Sequence, residues 1–312
     1  MPYIAHMKSE SDSALGLSGK RRVGVEIEFG ALDVKRTADI VRERFGGTYV
    51  ETSAYQATVE GTEFGDFKIE LDWSWAHKTV DNGGIVDQAK DLLTDLGKEV
   101  APTEVVAPPI AADRLDAIDK LACDLSAAGA QGTRSGLLAG FGVHLNPEVF
   151  DADLAADPLR RVLQAYLLNA AELRASIRVD ATRALLPFVE PFPEDYLSHV
   201  LDPDYAPDLA GLIDDYLRFN PTRNRELDML PIFTLLDESR VRSALADPKI
   251  STRPTFHWRL PNTDFENPDW SISRDWQRWL EIEHLAVDDA RLLDRLKARA
   301  REQKTSKWPS LF

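Results

Sequence analysis

A chain of 312 residues is long enough for one or two domains with a sizeable buried core. Its formal net charge of −15 argues against nucleic-acid backbone binding as the main task, because counterion release needs a basic surface; a nucleotide held locally by arginines or a metal remains compatible. A hydrophobic fraction of 44% beside 29% charged residues is ordinary for a globular protein, and no stretch reaches the roughly 18 apolar residues of a membrane span.

The first 20 residues carry no apolar core of signal-peptide length and are expected to form a flexible tail on a cytoplasmic protein. A single domain is expected over residues 21–303, with 304–312 as a C-terminal tail. The one cysteine, Cys123, rules out an internal disulfide and fits a reducing compartment. Its setting, LDAIDKLACDLSAAG, predicts a small residue buried on a helix rather than a nucleophile.

RRVGVEIEFG, residues 21–30, reads as a strand with Val23, Val25, Ile27 and Phe29 on one face and Gly24, Glu26, Glu28 and Gly30 on the other. Glutamate is a poor strand former, and two like charges at i and i+2 cost energy unless a cation sits between them. Residues 35–45 predict a helix closed by Gly46-Gly47. DFKIELDWSW sets Phe67, Ile69, Leu71 and Trp73 against Lys68, Glu70, Asp72 and Ser74, and GIVDQAKDLLTDLGKE then has helical spacing.

In TEVVAPPI, Glu104 and Val106 share a side before Pro108-Pro109 ends the segment. ADRLDAIDKLACDLSAAG predicts a helix stopping at Gly129, and GFGVHLNP alternates Phe141, Val143 and Leu145 with Gly142, His144 and Asn146. Asp157-Pro158 reads as an N-cap with proline at the first helical position, opening LRRVLQAYLLNAAELRASIR. DLAGLIDDYLRF is amphipathic. TFHWRLPN alternates Phe256, Trp258 and Leu260 with His257 and Arg259, and the helical run over 274–301 is the longest. Trp270, Trp276 and Trp279 in that region suit either internal packing or a homo-oligomeric contact.

A solvated strand face usually mixes Thr, Ser, Lys and Glu. Here the polar faces hold Glu26, Glu28, Lys68, Glu70, Asp72, Glu104, His144, Asn146, His257 and Arg259, which are hard-cation ligands joined by phosphate-type cations. Carboxylates with few histidines favour Mg²⁺ or Mn²⁺ over structural zinc. There is no HExxH, CxxC, GxxxxGK[ST] or strand-borne GxGxxG, so phosphates would have to be held by metal ions and arginines. NPTRNRELDMLP supplies Arg223 and Arg225, which suit either neighbouring carboxylates or a ligand; Arg259, on a strand with an apolar opposite face, suits bidentate contact with phosphate or carboxylate.

GVEIEFG, EVVAPP, GFGVHLNP, RNRELDMLPIF and an Arg-bearing strand followed by PNTD and a Trp-bearing helix resemble, in this order, the amidoligase family. That family belongs to the carboxylate–amine ligase superfamily of glutamine synthetase and glutamate–cysteine ligase. The resemblance spans roughly residues 21–290. It implies an α+β fold like the glutamine synthetase catalytic domain: a curved antiparallel sheet forming an open, funnel-like site, with helices on the outer face. It also implies ATP-dependent amide-bond formation through an acyl phosphate, with Mg²⁺ or Mn²⁺.

Glu26 and Glu28 resemble the metal-binding ExE strand, Glu104 the second metal strand, and His144 the metal- or phosphate-site histidine. Arg259 resembles the arginine of the ExR strand, where His257 stands in place of the usual glutamate. Arg259 would neutralise the migrating phosphoryl group and Arg225 or Arg223 would grip phosphate or an acceptor carboxylate. Glu70 or Asp72 would take the amine proton, and Lys68, Asn146 and His257 complete the nucleotide-facing set. Partners are small-molecule or peptide carboxylates and amines. A guanidino-kinase-like phosphotransferase and a nucleotide-binding relative without turnover are the alternatives on the same fold.

Overall fold

Alternation along β1 (Arg22–Phe29) comes out as expected: Val23, Val25, Ile27 and Phe29 are fully buried, and Gly24, Glu26 and Glu28 lie on the half-buried opposite face. The computed structural model describes residues 21–71, 102–134, 140–149, 153–177 and 189–306. Asp72, Trp73 and the helical pattern expected over 84–99 lie outside the described residues.

Helix α1 (Val34–Phe45) starts where Asp33 accepts the Arg36 N–H at 2.7 Å and stops at Gly46, whose φ of +73° suits glycine. A meander follows, β2 (Thr48–Ser53), β3 (Gln56–Thr62) and β4 (Gly65–Leu71), then β5 (Thr103–Val106) and β6 (Ile110–Ala111). Helix α2 (Leu115–Ala127) leads to β7 (Val143–Pro147) and α3 (Ala156–Ile177). After α4 (Glu194–Val200) and α5 (Leu209–Phe219) come β8 (Leu227–Asp228), α6 (Leu230–Leu236), α7 (Glu238–Ala244) and β9 (His257–Trp258). Helices α8 (Ile272–Val287) and α9 (Asp289–Ser306) close the described chain.

The fold is mixed α+β around an open antiparallel sheet in the order β2-β3-β4-β5-β1-β7-β9-β8, with β6 paired to the start of β1. The apolar side chains of the central strands form one core with the helices. Phe45 of α1 stacks on Phe67 at 5.3 Å between ring centroids, and Trp279 of α8 meets Phe256 and Trp258 at 5.2 and 5.7 Å. Trp276 and Trp279 are thus spent on internal packing.

Three expectations are corrected. Cys123 is exposed: Leu115, Ile118, Leu121, Ala122 and Leu125 take the inward stripe of α2, and the next position after Ala122 turns past it. The C-terminal run is two helices, because the Asp288 carboxylate accepts the Arg291 N–H at 3.0 Å and caps a new start; α3, with 22 residues, is longer than either. Asp157 lies within the first turn of α3, which begins at Ala156, and its carboxylate pairs with Arg160 and Arg161 instead of capping.

Candidate active site

The site grows from the second face of β1. Pairing β1 with β7 sets Glu26 opposite His144 and Gly24 opposite Asn146. A Cβ at Gly24 would come within 3.3 Å of the Asn146 Cβ, so the glycine makes room for that amide. Leu145 of β7 faces Trp258, which brings His257 level with Asn146, and β8 sets Asp228 opposite His257. Asn146, His257, Arg259 and Asp228 are each more than nine-tenths buried, although they occupy the polar face.

Four of these side chains form one chain of hydrogen bonds. His144 Nδ1 lies 3.0 Å from Glu26 Oε2, Asn146 Nδ2 donates to Glu26 Oε1 at 3.0 Å, and His257 Nδ1 lies 2.5 Å from Asn146 Oδ1. Arg253 Nη1 stands 3.7 Å from Glu26 Oε1. Burial works against ionising Glu26, but the histidines and Arg253 more than offset it and hold the carboxyl far below its ordinary range. His257 is itself driven far below the ordinary imidazole range, by burial first and by Arg259 next, and is neutral.

A second group lies one step along β1. Glu28 faces Glu104 of β5, Glu104 faces Glu70 of β4, and Gln56 of β3 donates to Glu70 at 3.1 Å. Three carboxylates thus occupy one row across adjacent strands, at the roughly 4.8 Å interval of a sheet. Glu28 Oε2 accepts the Gly142 N–H at 2.9 Å, and its Oε1 lies 3.7 Å from His144 Nε2. Donor atoms of Glu28, Glu104 and His144 lie within 4.8 Å of one another, as do those of Glu26, His144 and His257. The two carboxylates and one imidazole of the Glu28 group suit Mg²⁺ or Mn²⁺, whereas the Glu26 group, with two imidazoles and one carboxylate, suits Mg²⁺ poorly.

The cations divide. Arg259 Nη2 is 3.8 Å from Asp228 Oδ2, and its backbone N–H donates to Glu226 O at 2.9 Å. Arg223 lies 3.9 Å from Asp247 and feels Arg259, Asp228 and Glu26. Arg225 is turned elsewhere: it donates to Pro191 O at 2.6 Å, pairs with Glu190 at 3.3 Å and sits over the Phe192 ring. Lys68 is exposed on β4, opposite Val106, which in turn faces Glu26, so it stands two strands away from that carboxylate.

Arg253, Asp228 and Glu226 were not among the expected site residues. Burial pushes Asp228 up to about 6 against the pull of Arg259, and Glu226 up to about 7 against its 2.5 Å pair with Arg174. A carboxylate inside the apolar run LDML was the available signal for Asp228; Arg253 precedes the strand alternation and gave none. A cavity of about 260 Å³ lies at the opposite end of β1 beside Arg21 and Glu148, and there Arg21 is satisfied by a 2.5 Å pair with Glu283. It shares no residue with the carboxylate row.

A family model described as "Putative amidoligase enzyme" matches residues 19–281. No curated protein and no solved structure matches the chain. The match takes in every strand of the sheet and both carboxylate–imidazole groups, and on it the chain belongs to the amidoligase family.

Proposed function

We propose that this chain is an ATP-dependent carboxylate–amine ligase that forms an amide bond through an acyl phosphate. The observation that carries this reading is the row Glu28–Glu104–Glu70 beside His144, with Glu26 and Arg259 on the same face. Divalent metal would be held at Glu28, Glu104 and His144, with Glu26 in contact with His144, and would supply charge neutralisation at the nucleotide phosphates.

Arg259, buried on the same face as Glu26 and 3.8 Å from Asp228, would bind the phosphoryl oxygens during transfer. Arg223 would assist it from the same side. Arg225, held by Pro191 and Glu190, would need a rearrangement to touch a ligand and acts first as a support of the loop before β8. Glu70 would accept the proton of the attacking amine, with Asp72 the alternative. Lys68 would meet nucleotide at the solvent-exposed side, and Asn146 and His257 would orient Glu26. A funnel-shaped, glutamine synthetase-like site is part of the same reading.

The test is a thermal-shift titration with Mg-ATP and Mn-ATP of wild type beside Glu28→Gln. Stabilisation of the wild type alone, larger for metal with nucleotide than for metal alone, supports the reading; ADP release that depends on an added amine then separates the ligase from a kinase. A response to neither would remove the nucleotide from the proposal. His257, which brings no charge where the family has a glutamate, favours one second reading: a nucleotide-binding protein without turnover. Binding with no amine-dependent ADP release across carboxylate and amine panels would select it.

A further inference from the structure

The two carboxylate–imidazole groups share His144, and a neutral imidazole offers one lone pair. Both groups therefore cannot draw on His144 at the same time. The hydrogen-bond chain decides which does. An ionised carboxylate accepts and cannot donate, so Asn146 must present its NH₂ to Glu26, and its carbonyl oxygen then faces His257. Nδ1 of His257 must donate to that oxygen, and Nδ1 of His144 must donate to the other oxygen of Glu26. Each ring then carries its proton on Nδ1 and its lone pair on Nε2.

For His144 that lone pair faces Glu28. The 3.7 Å between Nε2 and Glu28 Oε1 is too long for a hydrogen bond and short enough for one cation to touch both, whereas Nδ1 and Glu26 are already in direct contact at 3.0 Å. We infer that this chain holds one divalent cation, on Glu28, Glu104 and Nε2 of His144, and that Glu26 and Asn146 are positioning residues which fix the tautomers of His144 and His257. Carboxylates bonded to the far nitrogen of a ligating histidine commonly have this role. His257 closes the chain of hydrogen bonds and stays outside the ion's shell.

The inference rests on the metal reading proposed above, but its test needs no nucleotide and no turnover. Zn²⁺ serves as a diamagnetic probe in long-range ¹H–¹⁵N correlation spectra of the histidine rings, and Mn²⁺ as a probe of stoichiometry by calorimetry. The expected result is one Mn²⁺ per chain and a Zn²⁺-dependent shift of Nε2 of His144, with the proton kept on Nδ1 of both rings. Glu28→Gln should lower Mn²⁺ affinity by at least about 100-fold, and Glu26→Gln by about 10–100-fold with the stoichiometry unchanged.

Two Mn²⁺ ions per chain, with Glu26→Gln losing one of them, would overturn the inference while leaving the ligase reading intact. So would coordination through Nδ1 of His144, which the wild-type spectra report without any variant. No cation bound to any of the proteins would remove both the inference and the metal part of the ligase reading.

Discussion

The two halves of the sheet follow the same alternation and end in different environments. On β7 and β9 the polar-face residues Asn146 and His257 are as buried as core residues, and they are wired to one another and to the half-buried Glu26 of β1. On β2 to β4 the corresponding face meets solvent: Lys68 is exposed, Glu70 half-buried, and β2 is exposed along nearly its whole length. Period-two alternation assigns a residue to a face; what then covers that face depends on segments distant in sequence. Around β9 the cover is the Arg253 loop and the turn before β8, which bring Arg253, Arg223 and Asp228 onto the buried groups. That is why strong electrostatic perturbation gathers in one half of a single sheet.

The sharpest way to separate the shared core from the two faces is Trp258→Ala. It removes a fully buried ring packed on Trp279 beneath both β7 and β8, and should cost about 3–5 kcal/mol in denaturant unfolding. A loss below about 1 kcal/mol would mean that the aromatic layer under β9 is not a working part of the core.

Next comes Asp228. Its folded carboxyl titrates at about 6 and its unfolded carboxyl near 3.8, so the folded protein binds that proton more tightly. Wild-type stability relative to Asp228→Asn is therefore greatest below about pH 4 and should decline by up to about 3 kcal/mol as pH rises to about 7 in metal-free buffer. A flat difference between the two proteins across that window would place the carboxylate in an ordinary, hydrated setting.

Asn146→Ala sharpens the comparison within the polar face, because it strips one partner from Glu26 and one from His257. A loss of about 1–3 kcal/mol is expected by thermal or chemical denaturation. At the solvent-facing end, Lys68→Ala should stay within about 0.5 kcal/mol of wild type. Equal effects from Asn146→Ala and Lys68→Ala would erase the distinction between the two halves.

Much of the polar-face cluster was legible in the chain. Glu26, Glu28, Glu104, His144, Asn146, His257 and Arg259 stand at alternating positions beside apolar partners, and the structure brings them onto one face. The β2–β3 hairpin was not expected: its polar, threonine-rich strands carry little apolar signal, since β2 packs few side chains inward. Arg225 shared its spacing argument with Arg223, but the turn before β8 sends it to Pro191 and Glu190.

Local sequence by itself determined the strand faces, the helices α1, α2, α3 and α5, and the carboxylate, imidazole and guanidinium groups that share the polar face. Strand periodicity and caps are properties of neighbouring residues, and they act over a few positions. Only the tertiary structure decided strand order, and with it that Glu28 faces Glu104, that Asn146 links Glu26 to His257, and that Asp228 lies beneath Arg259. Those contacts join residues up to more than a hundred positions apart, and register across a sheet, not any local pattern, sets which of them meet.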